Sequence, residues 1–143
     1  MKQIIALAVV SFVGLLCWAF TAELLISSQQ QHLMNGEWRI KKVQDKTTGQ
    51  TITTAKDYKI KFYKASFSLH LDVNSCLGKA DITSNTIRTS PDQTTCSTAC
   101  CDTKEAKALA AMLDSPSLKT YQIQGSQLTI SDKKYIIWLK ATK

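Results

Sequence analysis

The sequence predicts an α+β domain: a small antiparallel, barrel-like sheet with one amphipathic helix, stapled by disulfides. Three observations lead there. Short apolar/polar alternations recur between 37 and 140, turn residues separate them, and a single stretch switches to helical spacing. The 143 residues carry 44% apolar and 20% charged side chains, five Gly and two Pro. That is ordinary globular composition, which excludes a disordered, collagen-like or linker-dominated chain.

The N-terminus reads as an export segment. Lys2 is the one charged side chain before an uncharged run over 4–20, and Glu23 follows it. A charged tip before an apolar stretch is the layout of a signal sequence. Three outcomes stay open: a cleaved signal, a retained membrane anchor, and a lipid anchor on Cys17. In each the remainder is exported, to the periplasm or to the membrane-anchored envelope. We therefore divide the chain into 1–28 as signal or anchor, 29–32 as a polar spacer around Gln29, Gln30 and Gln31, and 33–143 as one domain. About 110 residues can bury roughly 65% of their unfolded surface, enough for one core. No repeat of 20 to 50 residues is present, which excludes a solenoid.

Strands follow in order. Trp38 and Ile40 share one face of 37–40. Tyr58, Ile60 and Phe62 alternate with Lys59, Lys61 and Tyr63. Phe67, Leu69, Leu71 and Val73 alternate with Ser68, His70 and Asp72, the cleanest half-buried pattern in the chain. Shorter strands are expected over 79–83 and 86–89, with Ser84 and Asn85 between them. Strands over 120–123, 127–130 and 135–140 complete a meander, turning at Gln124-Gly125-Ser126 and at Ser131-Asp132-Lys133. The helix opens on Asp102 as cap with Glu105 reaching back. It continues with Ala106, Leu109, Ala110 and Leu113 on one stripe and ends before Pro116.

Outside Cys17 four cysteines remain: Cys76, Cys96, Cys100 and Cys101. An even number in an exported domain favours disulfides, and four cysteines allow three connectivities. Cys76 with Cys100 would join sheet to helix, closing a loop of about 25 residues worth about 3 kcal/mol. It would leave Cys96 to Cys101. The swapped arrangement, Cys76 with Cys101 and Cys96 with Cys100, is nearly as good. The arrangement that bridges the neighbouring Cys100 and Cys101 ranks last, because trans backbone geometry strains it.

In that order the residues resemble the META domain, typified by HslJ-like bacterial envelope proteins. The resemblance runs from Leu33 to Lys140. It begins with Leu33-Met34-Asn35-Gly36-Glu37-Trp38 and continues at Ser75-Cys76-Leu77-Gly78. The best match is Ala99-Cys100-Cys101-Asp102, followed by Glu105, Leu109 and Leu113. The hairpin over 121–130 closes it. Leu77 stands where the family usually has Asn, and Cys96 and Cys101 are additional. The resemblance implies a compact antiparallel sheet with one helix in a secreted or envelope protein, and it carries over no catalytic residue.

Other chemistry is thinly represented. The four cysteines could form a zinc site, but they lack paired Cys-x-x-Cys knuckles and an oxidising compartment opposes free thiolates. A thiol oxidoreductase needs a low-pKa cysteine, for which Cys100 and Cys101 before the helix are the candidates. His32 and His70 have no neighbouring ligands or nucleophile in sequence, and no nucleophile elbow or phosphate-cradling loop occurs. No catalytic residue, cofactor or metal is expected. Eighteen Lys and Arg against eleven Asp and Glu leave a net charge of +7. The cations are spread along the chain, with Lys59, Lys61 and Lys64 as the candidate basic patch. Without a nucleic-acid motif, the partners that suit it are an envelope protein, anionic lipid or envelope polysaccharide.

The favoured reading is a non-enzymatic envelope domain that serves envelope integrity or stress tolerance by binding. The alternatives are a lipocalin-like carrier and a secreted hydrolase inhibitor. A core filled by Trp38, Phe62, Leu69 and Trp138 would oppose the carrier. A basic surface opposes an inhibitor of basic lysozymes.

Overall fold

The computed structural model describes residues 28–97 and 103–142. Residues 28–35 form α1. The strands are β1 (Glu37–Asp45), β2 (Thr51–Thr53), β3 (Lys59–Phe62), β4 (Ser66–His70), β5 (Ser75–Ile82) and β6 (Thr86–Cys96). Helix α2 (Lys104–Asp114) follows, then β7 (Lys119–Gln124), β8 (Gln127–Ser131) and β9 (Tyr135–Ala141). In the sheet order β2-β1-β3-β4-β5-β6-β7-β8-β9 each strand pairs antiparallel with the next, and β1 also pairs with β9 from Trp38 opposite Ala141 to Asp45 opposite Tyr135. That pairing closes an eight-stranded barrel, and β2 extends β1 as a short flap. Closure removes the sheet edges that a meander of this length would otherwise expose.

Alternation decides what fills the barrel. Trp38, Ile40, Ile60, Phe62, Phe67, Leu69, Leu128, Ile130, Ile137 and Leu139 are buried in a single core. Of the four side chains whose burial would oppose a carrier, Trp138 alone does not join them. Ile137 and Leu139 take the inward phase of β9, so Trp138 faces outward and is half-buried, with the Lys42 ammonium 4.5 Å from its ring centre. The placement of Val73 in the half-buried pattern is corrected. Strand β4 stops at His70, Leu71 N–H donates to Asn74 O at 2.8 Å, and the turn leaves Val73 53% exposed.

The spacer expected over 29–32 lies inside α1. Glutamine tolerates a helix, and Gln30 finds an acceptor on the barrel, its Nε2 donating to Ile82 O at 2.8 Å. Leu33 is fully buried, and Trp38 Nε1 donates to Leu33 O at 3.0 Å.

Helix α2 is capped by Thr103, whose Oγ1 accepts from Ala106 N–H at 3.2 Å, where Asp102 was the expected cap. Asp102 itself lies outside the described residues. Ala106, Leu109, Met112 and Leu113 bury themselves against the barrel interior, with Ala110 half-buried beside them. Only Thr86 and Ile87 of β6 pair with β7, and beyond them β6 packs against α2.

Polar side chains tie both ends of this helix to the barrel. At its start the Tyr58 hydroxyl lies 2.9 Å from Thr103 Oγ1 and donates to Asp72 at 2.9 Å, while Lys56 pairs with the same Asp72 oxygen at 2.9 Å. At its end Lys119, 1% exposed, donates to Ser115 O at 2.7 Å, Ser117 O at 3.1 Å and Thr89 Oγ1 at 3.1 Å. No basic residue occupies the last turn of α2, so this ammonium takes that place against the helix C-terminus.

The disulfide joins Cys76 to Cys96, with Cα atoms 4.0 Å apart on directly opposed positions of β5 and β6. This overturns both favoured pairings, Cys76 with Cys100 and Cys76 with Cys101. The reason lies in β6, which runs on to Cys96 instead of ending near Thr89. Residues 91–93 loop out between Ser90 and Thr94, and the strand then resumes beside Cys76. Cys100 and Cys101 lie outside the described residues.

Candidate functional site

The outward phase of β3, β1 and β9 carries the site. Arg39 stands opposite Lys59 of β3 on one side and Lys140 of β9 on the other, which places three cations in one row across three strands. At 4.7–4.9 Å between strands the row spans about 10 Å. A register shift between Ile40 and Lys42 marks a bulge that adds Lys41 beside the row, and Lys42 turns outward over Trp138. The resulting groove has a volume of about 460 Å³ and is lined by Glu37, Arg39, Lys41, Lys59, Lys140 and Thr142, with Ala141 between the last two.

Two carboxylates hold part of this charge. Arg39 pairs with Asp57, and Lys59 reaches Asp57 at 3.3 Å and Glu37 at 3.4 Å. The hydrogen bond that Lys59 donates to Asp57 and the charge of that carboxylate, joined by Glu37, raise the Lys59 ammonium above its ordinary pKa and keep it charged. Glu37 Oε1 also accepts from Thr142 Oγ1 at 3.1 Å. Lys41 and Lys140 are exposed and have no carboxylate within ion-pair distance among the described residues.

The candidate patch is redistributed by this geometry. Lys59 and Lys61 share the outward face of β3, and Lys61 sits 5.6 Å from the Tyr63 ring centre. Lys64 lies in the turn after β3, away from the groove. Arg39 and Lys140 are the residues that sequence reading missed. They are 101 positions apart, and only the β1–β9 closure brings them together. The Lys41-Lys42 pair was visible in the sequence, but its place beside the row depends on the bulge.

The other candidates disperse. His70 is exposed and bonds Ser75 Oγ through Nδ1 at 2.9 Å, and the His32 ring lies tilted, 5.9 Å from that of Trp38. Among the described residues no group of three His, Cys, Asp or Glu is placed to hold a metal ion. No described helix is long and apolar enough to cross a membrane, and the run over 4–20 lies outside the described residues. Beside the disulfide, a cavity of about 100 Å³ lies among Phe67, Leu69, Cys76, Thr94, Ala110 and Ala111. That is well below the roughly 300 Å³ of an ordinary small-molecule pocket.

The family model described as META domain matches residues 31–142. None of the curated proteins compared matches the chain. Among solved structures, the NMR structure of a protein from Burkholderia xenovorans is similar, with a TM-score of 0.61 at 10% identity. The match covers 81% of this chain and 88% of that one. At that identity the likeness concerns the fold, a similar small barrel.

Proposed function

Because the chain belongs to the META domain family over residues 31–142, we propose that it is a non-enzymatic, exported domain of the cell envelope. In this reading it contributes to envelope integrity or stress tolerance by binding a partner on the outside of its barrel. The observation that carries the proposal is the division of labour between the two faces. The interior is filled by Trp38, Phe62, Phe67 and Leu69, while cations from three strands collect on the outer surface.

Two further features support it. The Cys76–Cys96 disulfide suits an oxidising compartment, as an exported domain would meet. The charge of the groove suits an anionic envelope component, attracted weakly and in a salt-dependent way. A lipocalin-like carrier would need an interior cavity of several hundred cubic ångströms, and the packed core opposes it. A hydrolase inhibitor remains the weaker alternative, since its basic face would repel basic lysozymes.

The test is fractionation of cells producing the full chain, with the cysteines trapped by alkylation before lysis. The expected result is recovery in the periplasmic or membrane fraction with Cys76 and Cys96 oxidised. Recovery in the cytosol with both thiols free would overturn the reading.

A further inference from the structure

We infer that the groove across β3, β1 and β9 is a binding site for an acidic glycan, its acid group held by Lys41 and Lys140. The inference rests on the envelope-binding reading and names the ligand chemistry of that same surface. It starts from an energetic cost. Like charges directly opposed across strands destabilise a sheet, and Lys59, Arg39 and Lys140 stand in one such row. Asp57 offsets two of them, through its contacts with Arg39 and Lys59. Among the described residues Lys140 has no such carboxylate, and the bulge brings a second ammonium without one, Lys41, to the same groove. A bound anion between these two lysines supplies the missing charge.

The remaining lining selects among anions. A site for a bare phosphate would present donors alone. Here Glu37 and Thr142 add a carboxylate and a hydroxyl to the wall, linked at 3.1 Å. Ammonium donors for an acid group beside acceptors for hydroxyl groups match a sugar that carries both. The groove is concave and its walls are charged or polar, with Ala141 the sole apolar lining residue. A lipid surface would be met better by a convex face with protruding apolar side chains. None of the exposed Tyr63, Val73, Leu77 and Leu118 lines the groove, and Trp138 is held half-buried under Lys42. The groove volume of about 460 Å³ accommodates a short saccharide segment.

The test is fluorescence polarisation with labelled tri-galacturonate and the full chain in a nonionic detergent. Unlabelled tri-galacturonate, neutral tri-galactose and glycerophosphate serve as competitors. The expected result is saturable binding displaced by the acidic trimer and not by the neutral one. Lys41→Glu and Lys140→Glu should each weaken it roughly fivefold or more, because each reverses a charge at the site. Lys133→Glu, at an exposed turn elsewhere, makes the same change in net charge and should leave affinity within about twofold. Three results would overturn the inference: no binding, equal loss in Lys133→Glu, or displacement by glycerophosphate as effective as by the acidic trimer. The last would reassign the groove to a phosphate headgroup. None of them bears on where the protein is recovered in cells, so the site can fail while the envelope reading stands.

Discussion

The ammonium of Lys119 lies 2.7 Å from the carbonyl oxygen of Ser115, the residue that caps the C-terminus of α2, and almost none of the lysine is exposed. A charge removed from water is tolerated only where acceptors surround it. Ser115 O, Ser117 O and Thr89 Oγ1 provide them, and the bond to Thr89 joins helix, β6 and β7 at the seam where those strands pair least. Lys119→Met keeps most of the side-chain volume but strands the acceptors, and should cost about 2 kcal/mol. Lys119→Ala adds a cavity and should cost about 3 kcal/mol or more. Urea unfolding monitored by Trp fluorescence separates the two. Equal stability of Lys119→Met and the parent would show that these bonds are not what holds α2.

A second prediction concerns Gly78. A methyl group there would stand 2.5 Å from Phe67 Cε1 and 2.7 Å from Thr94 Oγ1. Gly78→Ala should therefore cost about 2 kcal/mol through overpacking. Gly125 makes the instructive contrast, with open space around it and a φ of 59°. Gly125→Ala should cost about 1 kcal/mol, through the backbone alone. Shrinking the neighbour with Phe67→Leu should recover part of the loss at Gly78 and none at Gly125. A double-mutant cycle measured by thermal unfolding checks both.

Much of this barrel could be read along the chain because its strands are half-buried and alternate. Tyr121 and Ile123, Leu128 and Ile130, and Ile137 and Leu139 all keep one phase, so the last three strands were legible almost to the residue. Strand β2 was not, because Thr51-Ile52-Thr53 is too short to show a period. Two placements follow from strand phase and not from residue type. Lys119 lies two positions before Tyr121 on the inward face of β7, which marks it as a buried lysine. Trp138 lies between Ile137 and Leu139, which marks it as outward. The groove was less accessible still. Its row needs Arg39 opposite both Lys59 and Lys140, and barrel closure is a long-range event that no local pattern encodes.

Acid should loosen both anchors of α2. Lys56 hydrogen-bonds Asp72 and, aided by Tyr58 and against partial desolvation, holds its carboxyl below the ordinary value. Burial pushes the Asp132 carboxyl up, but hydrogen bonds from Ser117 and from the N–H groups of Tyr135 and Lys134 outweigh it and hold it down. Ser117 in turn offers its carbonyl to Lys119. Carboxyls depressed in the folded state contribute stability above their unfolded pKa of about 3.9, and it is lost as pH falls through the folded value. Urea midpoints should thus be level from about pH 7 to 5 and fall below about pH 4. Asp132→Asn should be less stable at pH 7 and show a shallower acid slope. A slope unchanged in that variant would remove Asp132 from the account.

The disulfide can be tested against the pairings that the sequence favoured. Cys76 is buried on β5, whereas Cys96 is exposed on the far end of β6, past the outlooped residues 91–93. Their bond is the staple that returns β6 to the sheet before the chain reaches α2. Peptide mapping of the alkylated, unreduced protein should recover Cys76 linked to Cys96. A fragment joining Cys76 to Cys100 or Cys101 would contradict the fold over 94–96. The bond closes a segment of 20 residues, for which chain entropy alone assigns about 3 kcal/mol. The measured loss in a Cys76→Ala, Cys96→Ala double variant should be smaller, about 2 kcal/mol. The Ile82–Ile87 end of the hairpin already holds the two strands together and shortens the loop left to close. A loss above the full chain-entropy value would mean that the staple also maintains the packing of Ala110 and Ala111 against β4 and β5.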